Sequence, residues 1–348
     1  MRQKSLTDFM NEVIKDLCEQ GRFATAHVYK YALRSFTEFV GGGSIYFGAF
    51  SKRSLRRFQT YMEERQLSYN TISTYLRSLR AVYNSAVDAD LVRGEFRLFA
   101  GLKTGVASER KLAVTALQMQ KLLKQPLSAG ALKASTVRLS GASGSDDFLA
   151  RMQKARDCFS LMLFLQGMPY VDLTHLRKCD LSGNLLTCRR RKTGTELCIR
   201  VTPEAMALIE RYGNHDEHSP YLLNLLGSNP DGEEDFHQYR SNLRGLNYYL
   251  SFLPSLCGLH GLKISSYTPR HTWATLAKYC QVPEEIISEG LGHSSLEVTR
   301  SYLKSFEGDE LAKANRIIID YIWSGNKTLW NKPVSYTHLR AHETKANL

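Results

Sequence analysis

The chain runs to 348 residues, longer than one typical core and short for three, and its 43% hydrophobic content is enough to fill two domains and exclude a disordered chain. Lys and Arg number 46 against 34 Asp and Glu, a net charge of +12, which points to a polyanionic partner, nucleic acid before membrane. The seven cysteines form no CxxC pair and no Cys/His cluster at zinc-ligand spacing, and no apolar run reaches the ~18 residues of a membrane span. A disulfide framework, a structural metal and a membrane anchor are therefore not expected, and a cytoplasmic, nucleoid-associated location is.

Taken in chain order, the first hundred residues read as helices over Leu6–Glu19, Ala24–Val40 (closed by three glycines), Lys52–Arg65 and Asn70–Ala89. In the last of these, Ile72, Tyr75, Leu76, Leu79, Val82, Tyr83 and Ala86 recur at i, i+3, i+4 spacing and define one apolar stripe, with Arg77 and Arg80 on another face. Gly101–Arg110 breaks the pattern with Gly, Ser, Thr and charge, so a boundary is placed there: residues 1–102 form one domain, 103–114 a linker and 115–325 a second domain. Helix resumes over Thr115–Lys124, and the Ser/Gly/Ala-rich residues 127–147 look like an exposed insertion. A long apolar helix is expected over Ala155–Met168. Two β-type runs, Leu185–Arg191 and Glu196–Val201, flank Thr193-Gly194 as a hairpin. Helices follow over Pro203–Tyr212, Gln238–Phe252, His271–Tyr279, Pro283–Leu291, Glu297–Phe306 and Asp309–Trp323. Val334–Thr344 reads VSYTHLRAHET, which resembles the translation of a widely used sequencing-library adapter, so residues 334–348 are set aside from fold and site reasoning.

Three stretches carry chemistry. In EGLGHSSLEVTRSYLKSF, Gly290 and Gly292 interrupt one helix and Ser294–Glu297 starts the next, so His293 sits at the junction and Tyr302 about two turns on. On one continuous helix a nine-residue step at ~100° per residue would put the two on opposite faces; the break lets them converge. In SYTPRHTWATLAKY, Arg270 stands directly before the expected helix His271–Tyr279, and its guanidinium offers two parallel donors to phosphate oxygens. In RRRKTGTELCIRV, Lys192 stands beside the hairpin turn, where a mobile acid could reach a substrate.

A lysine hairpin, then an Arg-His helix, then LGH with a tyrosine nine residues after the histidine resembles the tyrosine recombinase, or phage integrase, family, and Asp172 in GMPYVDL matches the acidic position of that family's first motif. The resemblance implies a mostly α fold with a small β-sheet or hairpin: an N-terminal all-α core-binding domain and a C-terminal α+β catalytic domain that clamp DNA from two sides. It implies Tyr302 as nucleophile, Arg270, His293 and Tyr267 about the phosphate, Lys192 as the acid for the leaving 5′ oxygen, and Asp172 in the same site. Arg77, Arg80, Arg190 and Arg191 become the expected DNA contacts. The implied reaction needs neither metal nor other cofactor. The implied partners are double-stranded recombination sites, a homo-tetramer assembled on them, and an accessory DNA-bending protein. The short segment before Leu6 leads us to expect no arm-binding domain.

Two departures from the family pattern stand out. Its first arginine falls at Pro169, and the histidine usual three residues before the second arginine is Tyr267. In both respects the chain is similar to recombinases from mobile elements of gut-type anaerobic bacteria. Many of those carry an arginine just before GM, where this chain has Gln166; Arg156 and Arg177 are the candidate replacements. The alternative reading is a catalytically impaired DNA-binding member of the family.

Overall fold

The computed structural model describes residues 5–105, 113–128, 145–227, 232–292 and 308–326. The chain divides into two compact units, residues 1–110 with 229–237 and residues 111–228 with 238–348.

The first unit is built on α1 (Leu6–Glu19), α2 (Phe23–Val40), α3 (Lys52–Glu64) and α4 (Tyr69–Asp88). Serine oxygens cap three of these helices, Ser5, Ser51 and Ser68 accepting from the backbone amides of Asp8, Ser54 and Thr71. Helix α2 stops at Gly41, whose φ of 100° a side chain would resist. The expected stripe on α4 is buried at Ile72, Leu76, Leu79, Val82, Tyr83 and Ala86, while Tyr75 is half-buried. The core is aromatic at its centre: Phe36 stacks on Phe50 at 5.2 Å and meets Phe58 edge-on at 5.0 Å. Arg77 and Arg80 are exposed on α4.

The second unit contains α5 (Ala116–Lys124), α6 (Ser145–Phe164), α7 (Tyr170–Thr174), α8 (Pro203–Tyr212), α9 (Glu233–Leu256, its first residues clustering with the other unit), α10 (Thr268–Tyr279), α11 (Glu284–Leu291) and α12 (Gly308–Ser324). A three-stranded antiparallel sheet, β1 (Leu181–Ser182), β2 (Leu185–Arg189) and β3 (Glu196–Arg200), lies in that order, with Leu186 opposite Ile199 and Cys188 opposite Leu197. Both longer strands alternate exposed and buried, so Leu186, Cys188, Leu197 and Ile199 face the core. The fold is thus mostly α with a small β-sheet, as the sequence implied.

Several expectations need correction. Helix α6 starts ten residues earlier than the expected Ala155, because acidic Asp146 and Asp147 in its first turn favour a helix start that a Ser/Gly-rich context concealed. It ends at Phe164 and not at Met168, because Gln166 and Gly167 both take positive φ, 59° and 70°. Strand β1 and helix α7 were not foreseen; elements of two and five residues carry no readable period. Helix α10 begins at Thr268, with Pro269 in its first turn where a missing N–H costs nothing. Gly290 does not interrupt α11 but lies within it, and the helix stops at Gly292 in the left-handed region. The expected helix Glu297–Phe306 and the set-aside tail both lie entirely outside the described residues.

One polar chain pins three of these helices together. The Trp273 indole Nε1 of α10 donates to Asn315 Oδ1 of α12 at 3.0 Å, and Asn315 Nδ2 donates to the carbonyl of Phe164, the last residue of α6, at 2.5 Å. Trp273 and Asn315 are fully buried, so a lost partner here leaves a polar group without water. Among the described residues no helix is long and apolar enough to cross a membrane, and no group of three or more His, Cys, Asp or Glu is placed to hold a metal ion.

Candidate phosphate-binding site

Four chain segments of the second unit meet at one place: the turn after α6, the first turn of α10, the C-terminus of α11 and the end of β2. The turn Leu165–Gly167 reverses the chain, Met168 N donating to Met162 O at 2.9 Å, and points the Gly167 carbonyl at α10. Gly167 is required twice over: its φ is 70°, and a Cβ there would sit 2.8 Å from the Arg270 Cα. Arg270 Nη1 donates to the Gly167 carbonyl at 3.2 Å and Nη2 to the Leu291 carbonyl at 2.6 Å. Burial, and then the neighbouring Arg190 charge, hold the Arg270 guanidinium down to about 10, with Asp172 and Tyr267 pulling the other way.

The second arginine at this place is Arg190. The sequence suggested Arg190 and Arg191 as a pair of outward DNA contacts; the structure separates them. Arg191 is exposed, whereas Arg190 is 6% exposed, because the strand alternation that buries Leu186 and Cys188 continues one step beyond β2. The ladder itself continues there, Arg190 N donating to Thr195 O at 2.8 Å. Period-two register would therefore have found this residue, but a run of three arginines and a lysine reads as a solvated charge cluster. Arg190 Nε donates to Asp172 Oδ2 at 2.5 Å, and its Nη1 donates to the same Leu291 carbonyl that Arg270 engages. Asp172 is 4% exposed on α7 and accepts a second bond, from the Arg191 amide, at 2.9 Å. Two guanidiniums thus share one carbonyl oxygen, with one buried carboxylate behind them.

The remaining candidates distribute as follows. Lys192 is exposed in the β2–β3 turn. Tyr267 caps α10 and is 56% exposed, three residues from Arg270 on the solvent side. Pro169 begins α7 and brings no cation. Neither replacement arginine is brought into this cluster: Arg156 spends its guanidinium on the Gln125 carbonyl and on Gln153 Oε1, and Arg177 is exposed where its backbone bridges to Tyr221. His293 and Tyr302 lie outside the described residues, which stop at Gly292, directly before His293.

Two residues that the sequence named for other reasons, Gln166 and Gly290, have packing roles that it did not foretell. Gln166 is 1% exposed, and neither its Oε1 nor its Nε2 has a hydrogen-bond partner among the described residues. Gly290 is needed for close approach, since a Cβ would lie 2.9 Å from the Trp273 ring and 3.3 Å from Gln166 Oε1. Only packing distinguishes these positions, and sequence patterns do not carry it.

Comparison with known proteins agrees with this architecture. Residues 5–96 match the phage integrase SAM-like domain. No curated protein matches the chain by sequence. Among solved structures, the chain is similar to a lambda integrase dimer bound to a COC′ core site (TM-score 0.56, 13% identity, covering 87% of this chain and 99% of that one). It is similar also to the Tn1549 transposon integrase in complex with transposon right end DNA (TM-score 0.52, 16% identity, 90% and 99% covered). A third likeness is to the XerH site-specific recombinase bound to difH substrate (TM-score 0.52, 14% identity, 84% and 81% covered). The fold is that of the tyrosine recombinases, with a phage integrase SAM-like domain at residues 5–96.

Proposed function

We propose that the protein is a site-specific DNA recombinase that cuts and rejoins strands through a 3′-phosphotyrosine on Tyr302. The observation that carries this reading is the pair of inward-facing guanidiniums on the Leu291 carbonyl, two residues before His293 and eleven before Tyr302 in the sequence. A phosphodiester resists an anionic nucleophile, so cleavage needs fixed cations where charge develops on the phosphoryl oxygens, an aligned nucleophile and an acid for the leaving group. Arg270, on the first turn of α10, supplies the cation and a helix N-terminus that favours an anion. Lys192, exposed on its turn, is free to reach the 5′ oxygen. In the step itself the Tyr302 Oη–phosphorus bond forms and the phosphorus–O5′ bond breaks. The phenol's proton passes to solvent, and the Lys192 ammonium provides one to the leaving 5′ oxygen. The new phosphodiester conserves the energy of the old, so a 5′-hydroxyl of the partner site can reverse the step.

One nucleophile per strand cut implies four protomers on two DNA sites, as in the lambda integrase tetramer bound to a Holliday junction, to which this fold is similar at a TM-score of 0.53. The two-domain organisation about residues 103–114, the DNA contacts at Arg77, Arg80 and Arg191, and integration, excision or inversion of a mobile element belong to the same reading. So do a cytoplasmic location and action without cofactor. Pro169, which starts a helix and offers no charge, favours a second reading, a DNA-binding protein impaired in cleavage.

The test is covalent capture. The full chain and Tyr302→Phe are incubated with nicked duplexes tiled across the DNA flanking the gene, and adducts are resolved on a denaturing gel. An adduct formed by the parent alone is the expected result; tight binding by both without adduct would establish the impaired binder.

A further inference from the structure

We infer that Arg190 is the second phosphate-binding arginine of the site, standing in from the end of β2 for the cation that Pro169 cannot supply, with Asp172 as its positioning residue. The inference rests on the recombinase reading and deepens it.

Three observations carry it. First, Arg190 Nη1 and Arg270 Nη2 donate to one oxygen, that of Leu291, so the two guanidiniums already converge on a single point as two donors to one phosphoryl oxygen must. Second, the charges do not balance. Buried Arg190 and half-buried Arg270 bring two positive charges to a place where, among the described residues, Asp172 brings one negative charge, and a carbonyl dipole cannot neutralise the excess. A phosphodiester carries the one negative charge that closes this account. The depressed Arg270 guanidinium agrees, since burial and Arg190 both act against its charge. Third, Arg190 is aimed and held. Its Nε is fixed by Asp172 at 2.5 Å with side-chain exposures of 7% and 2%, while its Nη2 makes no hydrogen bond within the described residues. Asp172 is itself held by the Arg191 amide, so the carboxylate orients the guanidinium and does not meet the substrate.

Removing Arg190 alone would strand the Asp172 carboxylate in the interior, which threatens folding. The experiment therefore uses Arg190→Met beside the double variant Asp172→Asn/Arg190→Met, which leaves no unpaired charge. Both are compared with the parent on the adduct-forming nicked duplex, carrying either the natural phosphate or a neutral methylphosphonate at the scissile position. On the phosphate both variants are expected to lose ~10²–10³ in adduct rate. On the methylphosphonate, which has less charge to neutralise, the loss is expected to shrink by at least ~10-fold. Equal losses on the two substrates, or no loss on either, would overturn the role of Arg190 while leaving the recombinase reading intact. A parent that makes no Tyr302-dependent adduct would overturn the reading and this inference together.

Discussion

At the scale of single residues, the site is assembled from groups that would each be costly elsewhere. Gln166 holds a positive φ of 59° and buries an amide with no partner for either polar atom among the described residues. An unsatisfied buried amide costs ~1–3 kcal/mol, so Gln166→Leu, similar in length and without the polar atoms, should raise stability by about that amount in urea titration. A drop in stability would mean that the amide is satisfied in solution. Arg270 shows the same economy in charge. Its folded-state value lies near 10, below the ordinary guanidinium range, so the cost of carrying its proton is fully present below pH 10 and is relieved only as pH rises through that value. Across the neutral range the residue stays charged, and what varies is whether an anion is there to meet it.

At the scale of elements, the site depends on where helices begin and end more than on what they contain. Asn315 ties α12 to α10 and to the last carbonyl of α6, one residue before the turn that presents Gly167 to Arg270. Asn315→Leu would strand the Trp273 indole and the Phe164 carbonyl, and a loss of at least ~2 kcal/mol is expected in denaturant unfolding. Much of this layer was legible in advance. The α4 stripe repeats over twenty residues and announces itself, and β2 and β3 flank a glycine turn. Arg270 at the head of α10 was legible as well, although the helix opens two residues before it. What escaped was set by tertiary packing. The five-residue α7 has no period to read, and α6 starts inside a stretch whose composition says loop. Arg190 was hidden by its neighbours, because the same three-arginine run contains an outward residue on either side of the inward one.

At the scale of the whole molecule, the net charge of +12 is carried by exposed residues such as Arg77, Arg80, Arg191 and Lys192 as well as by buried Arg190 and half-buried Arg270. Exposed cations on DNA act by releasing counterions, so log K for duplex binding should fall with log salt by ~0.9 per phosphate met. Arg77→Ala/Arg80→Ala should flatten that slope by about 2, measured by fluorescence anisotropy across a potassium chloride series. Arg190→Met should leave the slope nearly unchanged, because a cation 6% exposed gives up few counterions of its own. A slope insensitive to the α4 pair would remove that helix from the DNA-facing surface.

The alternation of β2 has one more use. Cys188 lies two residues before Arg190 on the same inward face, 8% exposed, and burial pushes its thiol up to about 12. Cys179 and Cys198 lie exposed on the same unit. A thiol reagent at neutral pH therefore meets Cys179 and Cys198 at once, half-buried Cys18 more slowly, and Cys188 only when the strand opens. The rate at which Cys188 itself is labelled, resolved by peptide mapping from half-buried Cys18 and from buried Cys158, Cys257 and Cys280, is a built-in clock on the strand that carries Arg190. It separates a variant that has lost its chemistry from one that has lost its shape, without any DNA in the tube.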